Sequence, residues 1–190
     1  MFETIEKIDQ QLLLYGNGLH NSFFDAIVPY LTSFLVWIPL FIWWFMGIRK
    51  THSQKILTII LFVAVLLVAS DRSSVLIKNS VKRYRPTHNM ELKDKIHVIN
   101  DYRGGQYGYV SSHATNAFAI ACFLFLLMRN SPKKWLKISF FLWALIFCYT
   151  RIYLGVHYPF DLFSGALLGA LLALVFYKIF VRFNTLKEDI

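Results

Sequence analysis

The sequence predicts an all-α membrane protein, built as a bundle of transmembrane helices. Of its 190 residues 56% are hydrophobic, and its mean hydropathy is +0.47. Both values exceed those of ordinary water-soluble domains. The apolar residues also form long runs between short polar segments, which is the pattern of membrane-spanning helices. The aromatic content of 17% suits side chains placed at the membrane interface.

The first 18 residues are predicted to form an amphipathic helix. Apolar residues recur at helical spacing from Phe2 to Tyr15, with Glu3, Glu6 and Asp9 between them. The segment Gly16-Asn17-Gly18 is expected to end the helix. Such a helix either lies in the membrane interface or packs on the flank of the bundle. Because it starts with acidic residues, it is not expected to be a cleavable signal peptide.

Five apolar stretches follow, and each is predicted to span the membrane. The first runs from Phe23 to Gly47, and Pro29 and Pro39 within it predict kinks. The polar residues before the third stretch are expected to continue its helix. The whole chain, residues 1–190, is then one membrane-embedded domain. The remaining four stretches cover residues 55–77, 114–128, 135–153 and 160–180.

The basic residues predict the orientation of these spans. Residues 82–110 are rich in Lys, Arg, Gly and Asn and are predicted to form an aqueous loop. The short connections and the tail on the other side are also basic, and such segments stay in the cytoplasm. The N-terminus and the 82–110 loop are then outside, which is the periplasmic side of a bacterial inner membrane, and the C-terminus is cytoplasmic. The basic residues on the cytoplasmic side are Arg49, Lys50, Lys55, Arg129, Lys133, Lys134, Lys137, Lys178, Arg182 and Lys187.

Three polar clusters mark the ends of apolar helices, and all fall on the predicted outer side. Charged groups next to lipid are costly, so their convergence on one membrane face favours a functional role. The outer loop also breaks the usual charge rule, which an anionic substrate would explain. The clusters are Lys78 with Arg85-Pro86, then Ser111-Ser112-His113, then Arg151 with His157 and Asp161.

Three of these residues are cations that can neutralise the oxygens of a phosphate group. The guanidinium forks of Arg85 and Arg151 match two phosphate oxygens at once, and Lys78 adds a third charge. If the helix continues beyond Lys78, then Lys78 and Arg85 share one of its faces. Pro86 is expected to end or bend that helix.

Ser111 and Ser112 precede an apolar run and are therefore predicted to lie at a helix N-terminus. Unpaired backbone N–H groups at such an end favour an anion. Ordinary N-capping explains the serines equally well. The two functions are compatible, since one serine can cap the helix while the other binds phosphate.

The two histidines can supply the covalent chemistry. Pro159 suits the first turn of the last span, so Asp161 can reach back to His157. A carboxylate on one imidazole nitrogen leaves the other free as a nucleophile. His113 can then protonate the leaving group. The alternative is that both histidines are polar residues of the membrane interface.

A metal site is the competing catalytic interpretation. His113, His157 and Asp161 could supply three ligands, but three cations in the same place would repel a divalent ion. The sequence also lacks an HExxH segment. Metal-free chemistry with no cofactor is therefore expected.

The clusters resemble the signature motifs of the type 2 phosphatidic acid phosphatase family, whose superfamily includes glucose-6-phosphatase and the vanadium haloperoxidases. The family pattern is KxxxxxxRP, PSGH and SRxxxxxHxxxD, and the resemblance covers roughly residues 78–161. The first motif is complete, and the third has Thr150 in place of its serine. The second departs, because Val110-Ser111-Ser112-His113 replaces Pro-Ser-Gly-His. With serine replacing glycine at 112, an altered rate or selectivity is expected, not lost activity.

The resemblance implies a role for each motif residue. It implies that His157 is a phosphohistidine nucleophile with Asp161 as its partner and His113 as acid and base. It implies that the phosphate-binding residues are Lys78, Arg85, Ser111 and Arg151, to which the helix-end argument adds Ser112.

The expected function is therefore metal-independent hydrolysis of a lipid phosphate at the outer face of the membrane. Candidate substrates are phosphatidylglycerol phosphate, phosphatidic acid, undecaprenyl diphosphate and lipid A phosphate. The alternatives are a non-catalytic protein that binds or transports lipid phosphates, and a lipid phosphotransferase. The partners are the bilayer and its lipid; with no basic tail, nucleic acid is not expected. The sequence does not indicate an oligomeric state.

Overall fold

Seven α-helices make up most of the fold that the computed structural model describes, which covers residues 2–188. The described residues contain no β-strand, only one isolated bridge between Tyr84 and Tyr107. The predicted all-α class is confirmed. The helices are α1 (Phe2–Gly18), α2 (Ser22–Leu31), α3 (Ile38–Arg49), α4 (Ile56–Val81), α5 (Ser112–Leu127), α6 (Lys134–Tyr153) and α7 (Pro159–Glu188).

Three helical segments are long and apolar enough to cross a membrane. They are Ser53–Val81, Lys134–Tyr153 and Pro159–Asn184. The first predicted span is instead broken into α2 and α3, which meet at an angle of 82°. The side chain of Ser33 caps the short turn between them, and Pro39 lies at the start of α3, where its missing N–H costs nothing. The two prolines therefore accompany a complete break and not a mild kink.

Helix α5, which covers the third predicted span, is short and lies at the centre of the bundle. Its 16 residues extend about 24 Å, less than the roughly 30 Å of a bilayer core. The five-span count therefore stays a prediction. Small buried residues such as Ala117 and Ala121 let α5 pack closely between α4, α6 and α7. This position holds its N-terminal residues at the centre of one end of the bundle.

Two glycines of α7 allow this close packing against α5. A Cβ atom at Gly165 would lie 2.7 Å from the backbone oxygen of Ser111, and one at Gly169 would lie 2.8 Å from the nitrogen of Ala119. The spacing of Gly165 and Gly169 in the sequence is typical of small-residue packing between membrane helices. The glycines thus fix the distance between the helix that carries His113 and the helix that carries Asp161.

We expect Gly169→Ala to destabilise the bundle by roughly 1–3 kcal/mol, because the added methyl group meets backbone that cannot move aside. Thermal unfolding in detergent measures this as a lower transition temperature. Gly18→Ala is the matched control, since a Cβ there meets nothing within 4 Å. Equal unfolding temperatures for the two variants would contradict the packing argument.

The loop of residues 82–110 is folded onto the bundle, and part of it is buried there. Leu92 and Ile96 are buried with Leu13 of α1 and Tyr158. The side chain of Asn17 accepts a hydrogen bond from the backbone nitrogen of His97 (2.8 Å) and donates to the oxygen of His97 (3.0 Å). The apolar residues of this polar segment thus pack against α1 and the start of α7. Helix α1 packs against α6 and α7, and its placement in the membrane interface stays a prediction.

The basic connections lie at the opposite end of the bundle. Lys133 donates to the backbone oxygen of Gly47 (2.7 Å) and to the hydroxyl of Thr51 (3.2 Å), which joins the connections after α3 and α5. The ring of His52 is 3.2 Å from the oxygen of Leu127 in the same region. One end of the bundle thus carries the short basic connections, and the other carries the polar clusters.

Candidate active site

The three polar clusters meet at one end of the bundle, opposite the short basic connections. Lys78 Nζ lies 3.0 Å from the hydroxyl of Ser112, which joins the first cluster to the second. The backbone nitrogen of Ser111 donates to the backbone oxygen of Asp161 (3.0 Å), which joins the second to the third. All eight predicted site residues therefore lie together.

Arg85 reaches this place by a route that differs from the expected one. Helix α4 ends at Val81, and Lys82 takes a left-handed conformation with φ of 53°. The expectation that Lys78 and Arg85 share one helix face is therefore wrong. Beyond the turn, the backbone nitrogen of Arg85 donates to Gln106 and its Nε donates to the oxygen of Tyr107 (3.1 Å). Arg85 is thus held by the outer loop and not by α4.

His157 and Asp161 form a fully buried pair. Nδ1 of His157 is 3.3 Å from Oδ2 of Asp161, which also accepts from the backbone nitrogen of Tyr158 (3.1 Å). Pro159 begins α7 as predicted, and the first helical turn brings the carboxylate of Asp161 to Nδ1 of the His157 ring. Because a carboxylate only accepts, the proton of the neutral ring belongs on Nδ1.

The other nitrogen of this ring is the most unusual atom of the site. Nε2 of His157 is buried and has no hydrogen-bond partner among the described residues. Burial lowers the pKa of His157 to about 4, an effect that outweighs the opposing hydrogen bond from Asp161. The imidazole is therefore neutral near pH 7, and with the proton on Nδ1 its lone pair lies on Nε2.

His113 faces Arg151 across the site. Nη1 of Arg151 is 3.3 Å from Nε2 of His113, and since a guanidinium only donates, this nitrogen is the acceptor. Nε of Arg151 donates to the hydroxyl of Thr150 (3.1 Å). Thr150 therefore keeps the hydroxyl group of the serine that it replaces in the third motif. Nη2 of Arg151 is buried without a hydrogen-bond partner in the described chain. It is the second such nitrogen in this site.

The two serines at the start of α5 make different contacts. Ser111 is the N-cap, and its side chain accepts from the backbone nitrogen of Ala114 at 3.5 Å. The hydroxyl of Ser112 lies 3.0 Å from Lys78 Nζ and 2.7 Å from the hydroxyl of Ser74. Both predicted serines thus lie at a helix N-terminus, one as cap and one as a contact of a cation.

The electrostatics of the site favour an anion. His113 interacts with the charges of Lys78, Arg85 and Arg151, and His157 with those of Lys78 and Arg85. Among residues 3–184, no carboxylate forms a salt bridge with any of these three cations. These three positive charges are therefore neutralised only in part, by carboxylates that lie beyond salt-bridge distance.

A close backbone approach completes the site. A Cβ atom at Gly108 would lie 2.9 Å from Oδ2 of Asp161 and 3.3 Å from Cγ of Arg85. Only a residue without a side chain lets the outer loop cover the pair of Asp161 and His157 this tightly. The loop thus forms one wall of the site.

Sequence reasoning missed three residues near the site. Arg83 forms salt bridges of 2.8 Å with Asp161 and with Asp9 of α1. Tyr102 of the outer loop interacts electrostatically with both Arg85 and Arg151. No motif marks these positions, and their proximity depends on how the outer loop and α1 fold over the bundle.

Among the described residues, one group of three side chains has its possible metal-ligand atoms within 4.8 Å of one another, and this group lies away from the polar clusters. Its members are His20, Asp25 and His97, on the outer surface near α2. The rings of His20 and His97 stack in parallel, with centroids 3.8 Å apart and 9° between planes. Lone pairs that lie in two parallel planes do not point at one ion. His97 instead contacts the Asp25 carboxylate at 3.0 Å.

The sequence of this chain is similar to those of known proteins over most of its length. The family model described as PAP2 superfamily matches residues 55–185. Lipid A 4'-phosphatase of Bacteroides thetaiotaomicron is 35% identical over 182 residues, which are 94% of this chain and 80% of that protein. Undecaprenyl-diphosphatase BcrC of Bacillus subtilis is 25% identical over 169 residues, 87% of this chain and 79% of that protein.

A solved structure shares the fold. The crystal structure of the transmembrane PAP2 type phosphatidylglycerolphosphate phosphatase from Bacillus subtilis superposes with a TM-score of 0.67 at 17% identity. The match covers 96% of this chain and 87% of that one. The membrane helices and this shared fold show an integral membrane protein. The family match spans all three polar clusters, and the family predicted from them is confirmed: this chain belongs to the PAP2 superfamily.

Proposed function

We propose that this protein is a lipid phosphatase that forms a phosphohistidine at His157 without a metal ion. The observation that carries the proposal is the buried Nε2 of His157, which has no partner in the described residues. It lies near the charges of Lys78 and Arg85, which form no salt bridge with a carboxylate among residues 3–184, and its ring is held by Asp161. A site built in this way suits an electrophile that arrives with negative charge.

In the first step, Nε2 of His157 attacks phosphorus while the oxygens bind Lys78, Arg85 and Arg151. The new N–P bond forms as the P–O bond to the lipid breaks, and His113 gives its proton to the departing oxygen. The phosphorylated ring becomes cationic, and the carboxylate of Asp161 stabilises it through Nδ1–H. The three cations offset the charge that develops on the phosphoryl oxygens.

The bound phosphate also prepares His113 for this role. In the free protein, Arg151 donates to Nε2 of His113 and so holds it unprotonated. A phosphate that takes the fork of Arg151 frees this nitrogen. Its negative charges then favour the protonated imidazole that must act as the acid.

In the second step, His113 accepts a proton from water, and the water oxygen attacks phosphorus. The N–P bond breaks, inorganic phosphate forms, and His157 returns to its neutral state. Ser112 contributes by holding Lys78 at 3.0 Å, and the N-terminus of α5 capped by Ser111 faces the same anion. These assignments give each of the eight predicted residues a place in one reaction.

The substrate that we propose is a lipid A phosphate, a phosphate ester on a membrane glycolipid. The relative that is 35% identical over nearly the whole chain is a lipid A 4'-phosphatase. Undecaprenyl diphosphate is the second candidate, because another relative of nearly full length is an undecaprenyl-diphosphatase. Both substrates keep their tails in lipid while the phosphate lies at the outer end of the bundle.

The arrangement of charges supports an orientation. We place the site on the periplasmic side of a bacterial inner membrane and the C-terminus in the cytoplasm, because the short basic connections gather at the end opposite the site. Helix α1 then lies at the outer interface, and residues 1–190 act as one domain.

Phosphate release by the purified protein in detergent, with chelator present, tests the proposal. The panel contains lipid A, undecaprenyl diphosphate, phosphatidylglycerol phosphate and phosphatidic acid. We expect chelator-resistant release, fastest from lipid A. Release that stops with chelator would support a metal site, and no release from any lipid would favour binding or transport. Phosphate found on an added alcohol and not in solution would indicate a phosphotransferase.

A further inference from the structure

Arg83 lies between two motif residues but differs from them in its contacts. Its Nη1 is 2.8 Å from Oδ1 of Asp161, and its Nη2 is 2.8 Å from Oδ2 of Asp9. Both ends of the guanidinium fork are therefore occupied by carboxylates. Lys78, Arg85 and Arg151 have no such partner within the described chain, so Arg83 is the cation least available to a phosphate.

Asp9 is the unexpected member of this group. It lies on α1, about 150 residues from Asp161 in sequence, and only 1% of it is exposed. Its Oδ1 accepts from the backbone nitrogen of Phe160 (2.8 Å), beside Asp161. Burial raises the pKa of Asp9, against the hydrogen bonds from Phe160 and Arg83. A carboxyl group this buried needs those partners, and they tie α1 to the start of α7.

The consequence for Asp161 is that both of its oxygens are fixed. Oδ1 is held by Arg83, and Oδ2 faces Nδ1 of His157 and the backbone nitrogen of Tyr158. The guanidinium of Arg83 also lies 4.0 Å from the centre of the Tyr158 ring, which limits its own movement. The plane of the carboxylate, and with it the direction of the imidazole, depends on this arrangement.

We infer that Arg83 is a positioning residue for the hydrolysis and that Asp9 holds it, so that α1 is a working part of the active site. Arg83 acts through Asp161 on the nucleophile and does not touch substrate. The inference rests on the proposed function, since it presumes the roles of His157 and Asp161. It goes further, because the family motifs contain neither Arg83 nor Asp9.

The test compares Arg83→Gln, Arg83→Lys and Asp9→Asn with matched neighbours. Lys82→Gln removes an exposed cation one residue away, and Glu6→Gln removes an exposed acid on α1. With the lipid phosphate that is turned over fastest, we expect Arg83→Gln and Asp9→Asn to lower kcat by about 10- to 100-fold with KM changed less than about threefold. Arg83→Lys keeps one ion pair and is expected to recover part of kcat, and the controls to behave as the unaltered protein.

Coupling between the two residues gives the sharper readout. If Asp9 acts only through Arg83, the double variant Asp9→Asn/Arg83→Gln has about the same kcat as Arg83→Gln alone. Multiplied losses would overturn the link to α1. A raised KM with unchanged kcat would overturn positioning in favour of phosphate binding.

Stability and the nucleophile provide the remaining controls. Asp9→Asn and Arg83→Lys are the conservative variants that decide the matter if Arg83→Gln does not fold, as judged by thermal unfolding. Full kcat in both would overturn the inference. His157→Ala, measured beside them, separates the two claims: activity in that variant would refute the proposed function itself, whereas its inactivity together with full activity of the Arg83 and Asp9 variants would refute only the inference.

Discussion

Replacing His157 with alanine is expected to lower phosphate release by at least about a thousandfold, because it removes the atom that bonds to phosphorus. The cations would remain, so lipid phosphate should still bind. The fold should tolerate the change, since the Nε2 side of the ring makes no hydrogen bond within the described residues. Phosphate release and lipid binding, measured on the same sample, separate the two effects.

The matched control for this variant is His52→Ala. His52 lies at the opposite end of the bundle and contacts the backbone oxygen of Leu127 at 3.2 Å. Its loss is expected to leave the rate unchanged. A His157→Ala protein that still turns over lipid phosphate at a comparable rate would refute covalent catalysis by this histidine.

Replacing His113 with alanine is expected to act differently on different leaving groups. For a lipid phosphate, loss of the acid should lower the rate by about 10²- to 10⁴-fold, because a departing alkoxide needs a proton. An aryl phosphate such as p-nitrophenyl phosphate releases a stable anion and does not need that proton. With this substrate the first step should stay fast in His113→Ala.

The second step makes this prediction testable in one trace. Without His113, no base activates water, so the phosphoenzyme should accumulate. Rapid mixing of His113→Ala with p-nitrophenyl phosphate should therefore give a burst of about one nitrophenolate per protein, followed by slow turnover. An equal loss of rate for both substrates with no burst would contradict the assignment of His113 as acid and base.

Most of the candidate site residues could be proposed from the sequence because they lie at the ends of apolar runs. The hydropathy pattern indicates where a helix meets the interface, and the predicted span order places the ends that carry the polar clusters on one side. Ser111 as cap and Pro159 as the first residue of α7 also follow local rules that a single sequence displays. These positions needed no tertiary information.

The path of the chain between those ends could not be read in the same way. Lys82 ends α4 in a left-handed conformation that lysine seldom adopts, so nothing local announced the turn before Arg85. The 82° break between α2 and α3 depends on packing as well as on the prolines. Helical spacing of apolar residues predicted α1, but not that Asp9 would be buried against Arg83 and the start of α7.

The salt bridges of Arg83 illustrate the same limit. A basic residue in a basic loop has the character of a surface residue, and only the fold brings Asp9 and Asp161 to either side of it. The polar residues that contact Asp161 and Arg83 from outside the motifs are therefore those that the sequence pattern does not indicate. They come from α1 and the outer loop, the parts of the chain with the weakest patterns.

The most direct test of the central claim is to trap the phosphoenzyme. Lipid labelled with ³²P in its phosphate is mixed with His113→Ala in the presence of chelator, quenched in alkali, and the protein is digested and mapped. We expect an acid-labile, alkali-stable label on the peptide that contains His157. We expect no label in His113→Ala/His157→Ala. Label on another residue, or lipid turnover by the unaltered protein with no labelled protein at any time, would contradict the central claim.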